Sequence, residues 1–219
     1  MSDDGPPPNR LERRKQRTRA ALIKAAQEFI AAGRLNVPVQ DISQAADVGV
    51  GSFYNHFDSK EQLFRVAVNE VLDAHGAVLD ALTADIEDPA ETFATSYRLS
   101  GRLLRRRPDM SRVLLNNGLA LVTADRGLAP RAKRDIAAAT AAGRFQVSDP
   151  QLAVAMVGGA LLGLAQLLHD EPDRDEAETT DQATEDVLRL LGLSRQQARR
   201  ICQKPLPDLD EWILPGSAA

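Results

Sequence analysis

The sequence has little sulfur, few aromatic side chains and no segment that looks like a strand. Its single cysteine, Cys202, excludes a disulfide framework within the chain and a cysteine-based zinc site. Aromatic residues make up only 4% of the chain. No segment alternates convincingly between apolar and polar residues, as a half-buried strand requires. Ala, Leu, Arg and Glu dominate, so the 219 residues are predicted to fold as an all-α protein with nine or ten helices.

Signatures of catalysis and of cofactor binding are missing too. No Ser-His-Asp or Cys-His arrangement is readable, and neither glycine-rich phosphate-loop pattern occurs. His75 and His169 have no second ligand at metal spacing, so core or surface roles are favoured for both. No charged segment followed by an apolar one opens the chain, so no secretory signal is evident. We therefore expect a cytoplasmic protein that is not an enzyme and that has no catalytic residue, cofactor or metal.

Charge is distributed unevenly along the chain. The net charge is -4, but residues 10–34 carry eight Lys or Arg against Glu12 and Glu28, a local charge of +6. This basic end suits a polyanion such as DNA, with Arg14 and Arg17 as candidate contacts, although a solvated helix face explains the same pattern. A second basic run, formed by Arg102 and residues 105–107, is interpreted as solvated surface unless it binds an acidic effector.

Residues 39–63 contain two short helical patterns joined by a tight turn, followed by the start of a third helix. The apolar positions of the first pattern share one face and are Ile42, Ala45 and Ala46. In the second pattern Phe53 and Phe57, at i and i+4, form a buried face. Gly49 in the turn is expected to take a positive φ, because glycine does so at little cost. Two short helices in this arrangement are typical of helix-turn-helix DNA-binding proteins.

The exposed face of the second short helix carries closely spaced hydrogen-bonding groups. Tyr54, His56 and Lys60 suit phosphate oxygens, since a tyrosine hydroxyl, an imidazole and an ammonium can all donate to them. Asn55 can pair with adenine and Val50 can meet a thymine methyl. The full set of candidate DNA contacts in this stretch is Gln40, Val50, Gly51, Ser52, Tyr54, Asn55, His56 and Lys60. The alternative for these residues is an ordinary polar helix surface.

The rest of the chain is predicted to form a lead, further helices and a tail. Residues 1–9 are rich in proline and are interpreted as a disordered lead. Residues 171–183 are predicted to be an acidic loop, and residues 205–219 an extended tail. The predicted helices cover residues 10–32, 59 to about 84, 89–107, 109–122, 128–142, 148–170, 180–191 and 194–204.

Residues 148–170 are the most apolar segment of the chain. From Leu152 to Leu168 only Gln166 is polar, so a membrane span is one interpretation. The apolar run is shorter than the ~20 residues that a bilayer needs, and acidic residues without aromatic neighbours follow it. We therefore favour a helix that is apolar on all sides and buried between others, and expect no membrane association.

The stretch 39–63 resembles the DNA-binding signature of the tetracycline-repressor (TetR) family of transcriptional regulators. The resemblance covers residues of about 14–74. In this family the position of Pro38 usually holds Thr or Ser, and the turn usually reads Gly, Val, Ser where this chain has Asp47, Val48 and Gly49. The residues that carry the resemblance are Val39, Asp41, Ile42, Ala45, Ala46, Val48, Gly51, Ser52, Phe53, Tyr54, His56, Phe57, Ser59, Lys60, Glu61 and Leu63.

The resemblance implies a ligand-responsive repressor. Residues 10–58 would form a three-helix DNA-binding domain, and residues 59–204 a helical domain for effector binding and dimerisation. A homodimer would form through the helices at about 148–170 and 180–191 and bind a palindromic operator. A small, mostly apolar effector would release it. Candidate pocket residues, each of which could equally be plain core, are Phe93, Tyr97, Leu104, Met110, Leu114, Asn117 and Met156. The alternative function is a DNA-binding or architectural protein without an effector.

Overall fold

The computed structural model describes residues 10–122 and 124–208, without the side chains of Asp109, Met110, Asn117, Leu119 and Ala120. The predicted lead, 1–9, and the tail beyond residue 208 lie outside the described residues. Within the described ranges the chain forms ten α-helices, one 3-10 helix (Gly118–Leu121) and no strand, which confirms the all-α prediction. The helices are α1 (Arg10–Ala31), α2 (Val39–Ala45), α3 (Val50–Tyr54), α4 (Lys60–Leu82), α5 (Pro89–Arg106), α6 (Pro108–Asn117), α7 (Leu128–Ala141), α8 (Pro150–Asp170), α9 (Glu176–Leu190) and α10 (Arg195–Cys202).

The chain divides into two compact units, Met1–Asn69 and Glu70–Ala219. The first contains α1, α2, α3 and the beginning of α4. Its core is apolar and includes Leu22, Ala26, Ile42, Phe53 and Leu63, which have no exposed surface. One face of each helix supplies these side chains, as the apolar spacing predicts. Ala45 is the exception, because it is exposed and the polar Ser43 is buried in α2 instead.

The second unit is built around α5, which packs against α6, α7, α8, α9 and α10. One cluster of buried apolar side chains in this unit includes Phe93 and Tyr97 of α5, Ile136 of α7 and Leu188 of α9. Phe93 meets Phe145 edge to face, with ring centroids 5.6 Å apart. These contacts come from helices far apart in sequence, so the unit depends on tertiary packing and not on local helix propensity.

The beginning of α9 corrects one prediction. The acidic composition predicts a loop over 171–183, but the helix begins at Glu176, where Asp175 caps it by accepting from the Glu178 N–H at 2.9 Å. In the second turn Asp181 accepts hydrogen bonds from Arg98 and Arg102 of α5, at 2.8 and 2.9 Å. The cationic partners neutralise the acidic segment and hold it in helical form. The interpretation of Arg102 as solvated surface is therefore wrong.

Helix α8 is apolar on all sides but buried on only one. Length and composition alone would let it cross a membrane, yet a helix in the core of a soluble protein passes the same test, and 33% of its most apolar stretch is buried in this chain. Val154, Val157 and Leu164 face the interior, whereas Leu152 and Met156 are 56% and 47% exposed. The prediction of burial on all sides is thus wrong for the single chain, which leaves an apolar face uncovered.

Candidate functional sites

Helix α2 ends in a Schellman motif, which forms the turn that leads to α3. Val48 N–H donates to the Ser43 carbonyl at 2.9 Å, and Asp47 N–H donates to the Gln44 carbonyl at 3.1 Å. This pair of bonds needs a residue in the left-handed region, and that residue is Asp47, with φ 53°. The expectation that Gly49 takes the positive φ is wrong: Gly49 has φ -70° and ψ 149°.

Gly49 instead stands at the N-cap of α3, in extended conformation and without a side chain to cap the helix. Pro38 occupies the same position before α2 and also forms no side-chain cap. Both helices of the motif therefore begin with uncapped N–H groups, which is a modest loss of stability relative to Ser, Thr or Asp. The tertiary core must hold these short helices, since seven and five residues are too few to be stable alone.

The two faces of α3 differ sharply in exposure. Phe53 and Phe57 are buried, in accordance with the prediction, and their ring centroids lie 6.0 Å apart. Val50 and Tyr54 are exposed, by 37% and 58%. Phe53 in α3 and Phe57, three residues beyond its end, thus anchor one side of this segment, while Val50 and Tyr54 lie on the solvent side.

The start of α4 is fixed by side chains of residues 58–62. Ser59 Oγ accepts from the Gln62 N–H at 3.2 Å, and Gln62 Oε1 accepts from the Asp58 N–H. Ser59 therefore caps α4, which begins within one residue of the predicted position. It places Lys60 in the first turn of α4, where its ammonium donates to Asn36 Oδ1 at 3.4 Å.

His56 lies just beyond α3 in a basic environment. Burial, together with the nearby charges of Lys15 and Arg19, lowers the pKa of His56 below its ordinary value. The Arg19 guanidinium lies over the ring of Phe57, 5.4 Å from its centroid. His56 is therefore mostly neutral near pH 7, in a setting to which Lys15 and Arg19 contribute positive charge.

All predicted DNA-contact residues are exposed or half-buried in the first unit. On α1, Arg14 and Arg17 are exposed, as is Gln40 on α2. Their exposure is compatible with DNA contact without demonstrating it. The remaining members of the set, all exposed or half-buried, are Val50, Gly51, Ser52, Tyr54, Asn55, His56 and Lys60.

The second unit contains an apolar cavity of about 100 Å³ between α4, α5, α7 and α8, which we call the inner cavity. Its wall is mostly aliphatic, with Phe93 and Tyr97 as the aromatic members. The Tyr97 hydroxyl points to the Val157 carbonyl at a long 3.5 Å, and burial raises the pKa of this hydroxyl. An engineered cavity of about 150 Å³ in another protein holds benzene, so the inner cavity, at about 100 Å³, has room for one small ring at most.

Ser100 brings a buried hydroxyl to this wall. Its Oγ donates to the Ser96 carbonyl at 2.9 Å and lies 3.1 Å from Nε2 of the buried His75. Burial, with the charges of Arg131 and Arg107, lowers the pKa of His75 to about 4. His75 is therefore neutral near pH 7, and with the serine proton committed to Ser96 its Nε2 carries the hydrogen that Ser100 accepts.

One side of the inner cavity is charged. Asp80 of α4 accepts from Arg131 Nε at 2.9 Å and from an Arg134 amino group at 2.8 Å. Although burial opposes it, hydrogen bonds from both arginines lower the pKa of Asp80. Asp135 is buried and binds Arg134 Nε at 2.8 Å, and its burial raises the pKa of this carboxyl. The cavity thus combines an apolar body with a carboxylate–guanidinium edge.

The structure brings together only some of the predicted pocket residues. Phe93, Tyr97 and Leu114 line the inner cavity. Leu104 is buried but does not line it, and Met156 lies on the exposed face of α8. The side chains of Met110 and Asn117 lie outside the described residues.

Sequence reasoning missed the charged edge of the inner cavity. Asp80, Arg131 and Asp135 lie in segments that look like ordinary amphipathic helix, and Asp80 is 51 and 54 residues away in sequence from its partners Arg131 and Arg134. A faint signal exists in α7, where Asp135 directly precedes the buried Ile136. Within residues 10–122 and 124–208, no group of three or more His, Cys, Asp or Glu side chains is placed to hold a metal ion.

Two protein-family models match the chain. Residues 22–67 match the model described as bacterial regulatory proteins of the tetR family. Residues 88–204 match the model described as the tetracyclin repressor-like C-terminal domain. Between them, the two matches span most of both compact units.

Curated relatives share shorter segments. The HTH-type transcriptional regulator TcmR of Streptomyces glaucescens is 32% identical over 92 residues, which is 42% of this chain and 40% of TcmR. The HTH-type transcriptional repressor DhaR of a Mycobacterium species is 55% identical over 38 residues, 17% of this chain and 19% of DhaR. The matched segments therefore span less than half of each relative.

Solved structures match over nearly the whole chain. The crystal structure of RolR in complex with its ligand resorcinol has a TM-score of 0.73 and 31% identity, covering 90% of this chain and 98% of RolR. RolR without ligand gives a TM-score of 0.70 and 30% identity, with 86% and 98% coverage. A likeness of this extent concerns both units and not the DNA-binding motif alone.

Proposed function

The chain belongs to the TetR family of bacterial transcriptional regulators, and we propose that it is a repressor which binds a palindromic operator as a homodimer and is released by a small effector. One observation supports this proposal above the others. The same chain holds an exposed recognition helix in one unit and, in the other, an apolar cavity of about 100 Å³ with a charged edge. The protein is proposed to act in the cytoplasm, where both DNA and small metabolites are accessible to it.

In the proposed complex α3 enters the major groove. Val50, Gly51, Ser52 and Asn55 approach base edges, while backbone phosphates are bound by the polar groups around them. The position of the short α3 depends on the buried Phe53 and Phe57. A shift in the core of the first unit would therefore move all the residues of α3 that are proposed to approach base edges. The proposed phosphate contacts are Arg14, Arg17, Gln40, Tyr54, His56 and Lys60.

The homodimer is proposed to form through α8 and α9. Leu152 and Met156 on α8 and Leu190 on α9 are 56%, 47% and 48% exposed, which is unusual for side chains of this size. Gly159 and Gly163 share the outer face of α8, and a Cβ at either would meet no atom of this chain within 4 Å. A second copy can therefore approach closely along this face. Two operator half-sites follow from the two-fold symmetry of such a dimer.

The effector is proposed to be a small hydroxylated aromatic compound. A single ring fits the volume and the aliphatic wall of the inner cavity, and phenolic hydroxyls can donate to the carboxylates of Asp80 and Asp135 and accept from Arg131. The complex of RolR with resorcinol supports this chemical class. Effector binding would favour a position of α4 in which two recognition helices no longer match successive grooves.

The operator is tested with DNA fragments that the protein retains from a random pool. We expect a palindromic sequence, and weaker binding for Tyr54→Ala and Lys60→Ala because each loses a phosphate contact. The salt dependence is expected to fall for Lys60→Ala, which removes a cation, and to stay the same for the neutral Tyr54. Unchanged binding and salt dependence in both folded variants would show that the DNA contacts are assigned to the wrong residues.

The effector is tested by adding resorcinol, or phenols of similar size, to the protein–operator complex. Release that is lost in Asp135→Asn, with operator affinity kept, supports the proposal. If no phenol releases the operator from a protein that binds it tightly, the effector-independent DNA-binding function is the better description.

The dimer is tested by the double change Leu152→Asp and Met156→Asp. Two carboxylates on the apolar face of α8 are expected to halve the mass in solution and abolish tight operator binding. The matched control is Gln151→Asp, an exposed polar position in the first turn of α8. An unchanged mass of a folded double variant would rule out this face as the interface.

A further inference from the structure

The ion pair between Asp80 and Arg131 is the common wall of two voids. On its inner side lies the inner cavity. On its other side lies a polar cleft of about 370 Å³, which we call the outer cleft. Asp80 and Arg131 line both voids, so their side chains separate the apolar interior from the polar exterior. The outer cleft is lined by Asp73, Asp80, Asp125, Arg126, Gly127, Pro130, Arg131 and Arg134.

Arg131 is held in place by three acceptors. Its Nε donates to Asp80 Oδ2 and its Nη1 to the Gly127 carbonyl, both at 2.9 Å. Nη1 also lies 3.6 Å from Asp73 Oδ1. Each bond involves the mobile end of a long side chain, so the guanidinium can leave without any change in the backbone of α7.

Withdrawal of Arg131 leaves no carboxylate without a partner. Asp80 keeps its 2.8 Å bond to Arg134, and Asp73 keeps Arg126 at 2.9 Å and the Gly127 N–H at 3.0 Å. Because an unpaired buried charge is the main cost of breaking such a pair, this arrangement makes the open state accessible. The displaced guanidinium would meet water in the outer cleft.

Gly76 on α4 gives Arg131 the space it occupies. A Cβ at Gly76 would lie 2.4 Å from Arg131 Nε and 2.5 Å from its Cζ, far inside contact distance. The guanidinium thus lies directly against the bare backbone of α4. Any side chain at this position would push Arg131 away from the wall.

From this geometry we propose that Arg131 is the gate of the inner cavity, through which a ligand passes from the outer cleft. Arg131 leaves Asp80 and Gly127 to admit the ligand, and the bonds re-form behind it. The proposal rests on the proposed function only in taking the inner cavity as the ligand site. It assigns to Arg131 a role in the rate of ligand exchange, which is separate from any hydrogen bond to the bound ligand.

The test measures exchange of fluorobenzene with the full-length protein by 19F NMR. Fluorobenzene has the size of one ring and no hydrogen-donating group, so a change in its exchange reflects passage and not a lost hydrogen bond to the ligand. The variants are Gly76→Ala, which displaces Arg131 but keeps its guanidinium in the chain, and Arg131→Gln, which removes the ion pair. The matched control is Arg126→Gln, which removes a guanidinium from the outer cleft alone.

A gate predicts that association and dissociation both accelerate by about tenfold in the two variants, as expected for one charge-assisted bond removed from the closed state. Affinity would change little, because both rates rise together, and the control would exchange like the unaltered protein. Equal rates in all four proteins would overturn the proposal, as would failure of fluorobenzene to bind the unaltered protein.

The same proteins separate the gate from the proposed function. If the exchange rates respond but no phenol releases operator DNA, the gate stands and the effector proposal fails. If a phenol releases the operator while the exchange rates stay equal, the effector proposal stands and the ligand enters by another route.

Discussion

Asp47 and Gly33 occupy the same position in two copies of one helix-ending motif. At Gly33, as at Asp47, the backbone is left-handed, with φ 69°. The same pair of hydrogen bonds ends α7 and α9, where the left-handed residues are Gly143 and Gly192. Asp47 is therefore the member of this group that carries a Cβ, in a conformation that an L-residue adopts at a cost.

Replacing Asp47 by glycine is expected to stabilise the protein. Removal of the left-handed strain contributes about 1 kcal/mol, partly offset by the greater freedom of glycine in the unfolded chain. Thermal unfolding would show a higher midpoint, with operator affinity unchanged. The reverse change at the matched position, Gly33→Asp, is expected to lower the midpoint. A lower midpoint for Asp47→Gly would mean that the Asp47 side chain makes a stabilising contact that outweighs the strain.

Operator binding is expected to strengthen as the pH falls through the range in which His56 titrates. Burial and the charges of Lys15 and Arg19 lower the pKa of His56 in the free protein. A DNA phosphate beside the ring favours the protonated form and raises this pKa, so binding takes up a proton and affinity rises as pH falls. The increase is at most about tenfold per pH unit for each His56 and ends below the pKa of the free protein.

Fluorescence anisotropy with labelled operator at constant salt would measure this dependence. His56→Gln is expected to flatten it, since an amide does not titrate in this range. A slope that survives in His56→Gln would place the titrating group elsewhere.

The second unit is expected to lose stability in mild acid because of His75. Its pKa of about 4 in the folded protein is below the ordinary 6.5, so the unfolded chain binds more protons between these values. Stability is fully present above pH 6.5 and falls as the pH drops towards 4, by on the order of 3 kcal/mol. Urea unfolding at a series of pH values would measure the fall.

His75→Gln is the informative control for that experiment. Its amide can still donate to Ser100, and it adds no titration, so the part of the pH dependence due to His75 should vanish. If the two proteins lose stability in parallel, the acid sensitivity belongs to other groups.

Gly101→Ala is expected to separate α5 from α9. A Cβ at Gly101 would lie 2.2 Å from Cγ2 and 2.5 Å from Oγ1 of the fully buried Thr180. Overpacking of this kind costs about 1–3 kcal/mol, which denaturant unfolding would measure.

Thr180→Ala should rescue part of that loss. It removes Cγ2 and Oγ1 and leaves Cβ, which would lie 2.9 Å from the added methyl group. Thr180 Oγ1 has no hydrogen-bond partner among the described residues, so its removal breaks no bond there. If the double variant is no more stable than Gly101→Ala, the two residues do not meet as the structure indicates.

Sequence patterns predicted those features that depend on near neighbours. Apolar spacing located most of the helices. Their caps are equally local, since Asp88, Asp149 and Ser194 each bond a backbone N–H two or three residues ahead. The burial of Phe53 and Phe57 followed from their spacing on one short helix. Interactions within four residues leave a trace that periodicity can detect.

Features that depend on residues far apart in sequence could not be predicted from these patterns. The sequence pattern predicts the positive φ at Gly49, whereas the structure has it at Asp47. The pattern shows which residue tolerates a positive φ but not which residue the turn requires to adopt it. Arg131 and Asp135 form an edge of the inner cavity only because Asp80 and Arg134, drawn from α4 and α7, converge with them there. The segment around Asp181 is helical where a loop is predicted, because Asp181 binds Arg98 and Arg102. No local sequence pattern connects these arginines to Asp181.

The arginines of α5 have a consequence for the order in which the chain assembles. Arg98 and Arg102 lie 83 and 79 residues before Asp181, and the acidic segment around Asp181 has little reason to be helical without them. Contacts between residues so far apart in sequence form late, because the entropy cost of closing the long loop between them comes before the contacts can stabilise the chain. A growing chain would thus complete α5 well before α9 could begin at Glu176. The first turn of α9 therefore has to wait for contacts with arginines that lie some eighty residues earlier in the chain.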